Sequence, residues 1–149
     1  MKELVALHKH WCTADSVKVV VGPPVATGLP DGCPEELVAQ AEMHSAFLRI
    51  ATWYSLLYVV VEGYRELKIE DSQIDELLSN DQMVNGLRRF RNAIFHYQDD
   101  PLGPKLMTFL EMAESEVWAG RLHRAFKSYF ERALRIKEII ESVNETGER

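Results

Sequence analysis

The sequence predicts an all-α protein, an up-and-down four-helix bundle with long second and fourth helices. Three observations lead there. Apolar residues recur at spacings of three and four along most of the 149 residues, the period of a helix with one buried face. No two segments alternate as paired strands would, and there is no internal repeat or low-complexity tract. Apolar residues make up 46% and charged residues 27% of the chain, which suits one core of ordinary domain size over residues 1–149 rather than a disordered polymer.

The first helix is expected over residues 2–17, where Leu4, Leu7, Trp11 and Ala14 form one stripe. The VKVVV segment either extends that helix or runs extended, and its β-branched residues lean toward the latter. GPPVATGLPDGCP carries four of the six prolines, so residues 22–34 should be a loop, a lid or a mobile strap, longer than most connections in compact domains.

Pro34, Glu35 and Glu36 suit a helix start, because proline fits the first turn and acids favour the positive end of the helix dipole. This second helix should run to residue 67, roughly 50 Å at 1.5 Å per residue. Its second half, WYSLLYVVVEGY, is apolar nearly all round and has to be wrapped by neighbours or by a second subunit. A short acidic turn of helix, DSQIDELLS, precedes a third helix that Asn80 or Asp81 can cap and that should reach Tyr97 before QDDPLGP stops it. A fourth helix is expected over residues 105–143, with Phe109, Ala113, Val117, Leu122, Phe126, Tyr129, Ala133, Ile136 and Ile140 as its stripe and only Gly120 weakening it. Residues 144–149 should fray.

A formal net charge of −6 argues against a protein that binds nucleic acid over its whole surface, so any such site has to be a local patch. Residues 82–98 supply one: Arg88, Arg89, Arg91 and His96, with no acid among them. The apolar run over residues 46–61 is broken by Arg49, Thr52 and Ser55 and is shorter than the roughly 20 residues of a bilayer span, so no membrane association is expected. MKELVALHKHW lacks the apolar core and cleavage site of a secretory leader, and a cytoplasmic location is expected. Cys12 and Cys33 are too few for a disulfide framework; two free thiols are the plainer reading, with a single bridge left open.

In the third helix, Met83, Leu87, Phe90, Ile94 and Tyr97 fall on one core stripe. Arg88, Arg89, Asn92 and His96 take the far side with Arg91 at its flank, so the basic cluster is presented together with an imidazole as a candidate anion site. A solvated face with cations near the helix C-terminus would look the same in isolation.

The segment RFRNAIFHYQ resembles the R-N-x-x-x-H form of the RxxxxH motif of the HEPN superfamily, helical bundles that include ribonuclease toxins, effector nucleases and noncatalytic relatives. Counted with the bundle the resemblance spans most of the chain, but six residues carry its chemistry. It implies metal-independent cleavage of RNA, in which a ribose 2′-hydroxyl attacks the neighbouring phosphate and leaves a 2′,3′-cyclic phosphate. His96 would be the acid and base, Arg91 the cation that steadies the phosphate, and Asn92 a hydrogen-bonding support to the histidine or a phosphate oxygen. The residue types suit those roles, since histidine titrates near neutrality and arginine offers a permanent charge on a fork of donors. Arg88 and Arg89 would bind the RNA backbone, and no cofactor or metal is implied.

On a straight helix Arg91 and His96 point about 140° apart, whereas Asn92 lies within about 40° of His96. Either the helix distorts or a two-fold partner brings a second copy alongside, and HEPN-like proteins generally do the latter. The apolar surplus of the second helix independently favours a homodimer. HEPN-like domains also often bring a polar residue from the second helix near the motif. Glu62, inside VVVEGY, is the match by helix, able to orient His96 or Arg91 or simply to reach water or an arginine at the bundle edge. An antitoxin protein is implied as a regulator. Toxins controlled by minimal nucleotidyltransferases tend to carry a tyrosine two residues after the histidine, however, and here Tyr97 follows at once with Gln98 in the later place.

Other constellations are weaker. His8 and Cys12 lie one helical turn apart and His10 lies between them, but a metal site needs three or four ligands on one face. His44 and His123 are lone helical histidines, packed or solvated. Trp53, Tyr54, Tyr58 and Trp118 read as core or interface anchors. The second functional class consistent with these residues is a noncatalytic helical dimer that binds a protein partner or a nucleotide.

Overall fold

The computed structural model describes residues 1–21, 30–100, 103–136 and 138–139. Among them there are six α-helices and no strand: α1 Lys2–Val19, α2 Glu35–Glu66, α3 Ser72–Leu78, α4 Asp81–Phe95, α5 Pro104–Glu111 and α6 Ser115–Ala133. None is long and apolar enough to cross a membrane.

Helix α1 buries Leu7, Trp11 and Ala14, the stripe its spacing predicts, and packs along α2. It continues through the VKV residues rather than giving way to extended chain. Val17 packs against the core there, and that burial offsets the few tenths of a kcal/mol that a β-branched residue costs a helix. Residues 22–29, the greater part of the predicted loop, lie outside the described residues; Gly32 turns the chain at φ +79 just before α2.

Helix α2 is the axis of the molecule. Pro34 is its N-cap, one position earlier than a first-turn proline, and Glu35 and Glu36 occupy the first turn. Its buried residues all fall between Ala51 and Tyr64, where α1 and α4 flank it. Tyr54, Phe90 and Phe109 form a three-ring cluster with centroids 5.4–5.8 Å apart and so tie α2, α4 and α5 together. At the far end Tyr64 donates to Asp75 Oδ1 at 2.6 Å and accepts from the Asp71 N–H at 2.8 Å. Asp71 in turn caps α3 by accepting from the Gln73 and Ile74 N–H groups and pairs with Arg132 of α6 at 2.7 Å.

Asn80 caps α4 by accepting from the Met83 N–H. The helix stops at Phe95, two residues short of the predicted end. His96 has extended backbone (φ −116, ψ 142), and the Gln98 side-chain amide donates to the His96 and Tyr97 carbonyls. Met83, Leu87 and Phe90 are buried and Ile94 packs at their edge, but Tyr97 is 90% exposed and leaves the predicted stripe.

The predicted fourth helix is two helices. Phe109 and Trp118 are both buried, yet nine residues turn a straight helix to about 180° from its start, so one continuous helix could not point both at the core. The chain breaks at Met112–Glu114, with Glu114 in the left-handed region at φ 65, and α6 begins again in a new register. Ala113 and Val117 therefore face solvent, while Gly120 sits buried in an unbroken α6. Helix α6 ends at Ala133, and residues 140–149, including Ile140 and the predicted frayed tail, lie outside the described residues.

A left-handed backbone costs a residue with a Cβ about 1–2 kcal/mol, whereas glycine adopts it freely. Glu114→Gly is expected to raise the stability to urea by about 0.5–1 kcal/mol, because only part of that strain survives glycine's larger chain entropy. Glu114→Val is expected to lower it.

Candidate functional site

Helix α4 carries the basic cluster past the second half of α2, and a side-chain constellation forms where they meet. The Arg91 guanidinium donates to Glu62 Oε2 at 2.7 Å and to the Asn92 side-chain oxygen at 3.0 Å, and it lies 5.9 Å from the centre of the Tyr58 ring. Glu62 thus reaches Arg91 and not His96, and Asn92 supports the arginine rather than the histidine. Asn92 meets His96 only through its backbone carbonyl, which accepts the His96 N–H.

His96 is exposed at the C-cap of α4, and its imidazole has no hydrogen-bond partner among the described residues. The structure therefore brings Arg91, Asn92 and Glu62 together within one chain and leaves His96 apart from them. Because His96 is off the helix, the helical angle between Arg91 and His96 no longer describes their relation.

Arg88 and Arg89 are both exposed, and they diverge. Arg88 faces α2, where its charge acts on Tyr58 together with those of Arg65 and Arg91. Burial raises the Tyr58 hydroxyl above its ordinary value and Glu62 adds to this, while the three arginines oppose it. Arg89 turns to the other side, into a groove of about 290 Å³ between α4 and α5 that Lys105 also lines. Arg65 escaped the sequence reading, and Tyr58, read there as a core or interface anchor, also belongs to the arginine cluster. Their spacing from Glu62, three residues on and four back, places all three on one face of α2 and was the available signal.

A second basic surface was missed as well. Arg121, Arg124 and Lys127 recur every three residues along α6 in an acid-free stretch from Val117 to Phe130, and Lys18 of α1 approaches them. Beneath it lies His123, only 1% exposed. The Trp53 indole N–H donates to His123 Nδ1 at 3.3 Å, so Nδ1 is an acceptor and the ring proton sits on Nε2, which is 2.8 Å from Asp15 Oδ1. The Trp11 indole donates to the His123 carbonyl at 3.2 Å. Burial is the largest cause holding the imidazole below its ordinary pKa of 6.5; the Asp15 hydrogen bond opposes it, and Lys18 and Arg124 add to the lowering.

His8 and Cys12 do meet, with Nε2 3.4 Å from Sγ, while His10 lies in a different groove beside Glu3 and Glu62. Burial, with Asp15 next, pushes the Cys12 thiol up, the opposite of an activated thiolate. No group of three or more His, Cys, Asp and Glu residues placed to hold a metal occurs among the described residues. Cys12 and Cys33 are both free thiols. His44 is exposed, and Trp53, Tyr54, Tyr58 and Trp118 are buried.

A scan against protein-family models, a search of curated proteins and a search of solved structures each found no match.

The His123 network gives stability a defined pH dependence. The folded-state pKa lies below the unfolded value, so as pH falls the unfolded chain takes up this proton first. The stabilisation is fully present above about pH 6.5 and is lost as pH drops below it toward the folded pKa. The urea midpoint is expected to fall between about pH 7 and pH 5, and His123→Gln, which cannot titrate, is expected to flatten that fall even though it lowers stability at neutral pH.

Proposed function

We propose that this chain is a HEPN-like, metal-independent endoribonuclease that works as a homodimer. In this reading α1, α2, α4 and α6 are the four principal helices of an up-and-down bundle. The observation that carries it is the R-N-x-x-x-H segment ending α4, in which Arg91 is anchored on Glu62 and Asn92 beside two further arginines while His96 is left free at the helix end.

An arginine already held in place can receive a phosphate without losing much side-chain entropy. An exposed imidazole on extended backbone can reach a substrate lying across the end of the helix. The 2′-hydroxyl gives up its proton and its oxygen attacks phosphorus. The bond from phosphorus to the 5′-oxygen then breaks, and that oxygen takes a proton. The products are a 2′,3′-cyclic phosphate and a free 5′-hydroxyl. His96 acts as base or acid, and a His96 from a second copy supplies the complementary transfer.

The exposed apolar side chains of Leu37, Met43 and Leu48 on the first half of α2 support the dimer. The setting fitting this activity is a cytoplasmic toxin or defence component restrained by an antitoxin protein, with RNA as substrate.

One observation favours the second reading, a noncatalytic dimer that binds a protein partner or a nucleotide: the Arg91 guanidinium already donates to Glu62 and Asn92. Incubating the purified protein with a set of RNAs in chelator separates the two. Cleavage to 2′,3′-cyclic ends is expected, reduced about 10²–10³-fold in His96→Ala and comparably in Arg91→Ala. Equal survival of every RNA with wild type and His96→Ala would end the nuclease reading and leave the binding module.

A further inference from the structure

A cavity of about 550 Å³ opens between the end of α1, the middle of α2 and the first turns of α6. That size is ordinary for a small-molecule site, which typically spans about 300–1,000 Å³. The cavity lies away from Arg91: Trp53 at its base and Glu62 in the arginine cluster are nine residues apart, which puts them on opposite sides of α2, about 180° around it.

Lys18 and Arg124 stand on its walls. Neither has a carboxylate within ion-pair distance among the described residues, in a chain whose net charge is −6. The Lys18 ammonium lies over the Trp53 ring, 5.4 Å from its centre, and both residues line the cavity. Val117 and Gly120 form the apolar side, and Glu116 is the one acid on the wall among the described residues.

Gly120 sits in the interior of α6, where alanine would favour the helix by about 1 kcal/mol. A Cβ there would meet only the end of the Arg124 side chain, at 3.5 Å. Packing does not demand glycine at this position. Its effect is to keep the cavity wall low next to an unpaired guanidinium.

We propose that this cavity binds a small organic anion with an apolar body. A carboxylate or phosphate head sits between Lys18 and Arg124, where two unpaired cations give it charge-assisted hydrogen bonds. The body lies along Val117 and the Gly120 backbone and reaches the part of Trp53 that lines the cavity, and Glu116 accepts from a donor on the ligand. The acid on the wall favours such a molecule over an RNA backbone, which would meet Glu116 as a repelling charge. This site is independent of the ribonuclease reading.

Trp53 offers a direct reporter, because the three indole N–H groups have distinct acceptors: Trp11 the His123 carbonyl, Trp53 the His123 ring and Trp118 the Leu77 carbonyl. The full chain, ¹⁵N-labelled, would be titrated separately with octanoate, adenosine monophosphate and inorganic phosphate while these resonances are followed. Saturable movement of the Trp53 signal is expected with octanoate or the nucleotide, with Trp118 still; which of the two binds tighter distinguishes an aliphatic from an aromatic body. Inorganic phosphate is expected to bind at least about tenfold more weakly, and Lys18→Met, Arg124→Leu and the cavity-filling Gly120→Leu each to weaken binding by about tenfold or more in variants whose remaining spectrum is unchanged. The proposal is overturned if neither organic anion moves Trp53 at about 10 mM, if all three variants bind as wild type does, or if inorganic phosphate binds equally well. Displacement of the organic anion by a short RNA with higher affinity would also overturn it, in favour of a polyanion surface.

Discussion

The second half of α2, from Ala51 to Tyr64, is apolar on nearly every side, and water leaves such a helix few places to be. Burying its leucine, valines, tyrosines and tryptophan requires α1 and α4 beside it and the aromatic residues of α5 and α6 against its remaining faces. The rest of the structure follows from satisfying that demand. Phe109 and Trp118 both have to reach this core, which explains why α5 and α6 are separate helices.

A helix buried along so much of its length has few positions at which a polar side chain can face outward, and the two constellations described above form at those positions. Glu62 leaves the core on the side of α4 and meets Arg91, a pair that remains partly open to water and therefore contributes more to orienting the arginine than to stability. Trp53 keeps one polar atom that has to be satisfied, and the His123 ring does so. Asp15 then receives the other side of that ring, linking α1 to α6 across the core. In both places a polar group at the edge of an apolar helix has drawn in partners from other helices.

Charge follows a similar logic. The chain is acidic as a whole, yet its cations gather on α4 and on α6, and at each place some have no ion-pair partner among the described residues. An unpaired cation on the surface of an acidic protein is at little energetic cost in water, so it is free to serve a ligand. On α4 the cluster stands beside an exposed histidine, an arrangement suited to phosphate chemistry. On α6 it stands over a cavity with an apolar wall, an arrangement suited to holding a molecule rather than transforming one.

The sequence by itself determined the all-α class, the stripe of α1 and that of α4 as far as Ile94, the cap at Asn80 and the presence of Arg88, Arg89, Arg91 and His96 in one acid-free segment. Each of these depends on residues within one short segment, and helical period and capping act within a segment. Only the structure showed that α4 stops at Phe95, with the Gln98 side-chain amide on the His96 and Tyr97 carbonyls beyond it. It decided the break before α6, because that requires knowing that Phe109 and Trp118 share one core. It also decided that Arg91 meets Glu62 while Arg89 joins Lys105, and that His123 meets Asp15 from 108 residues away. These pairings are set by how helices cross, and crossings are chosen by the fit of whole buried surfaces, which local spacing does not encode.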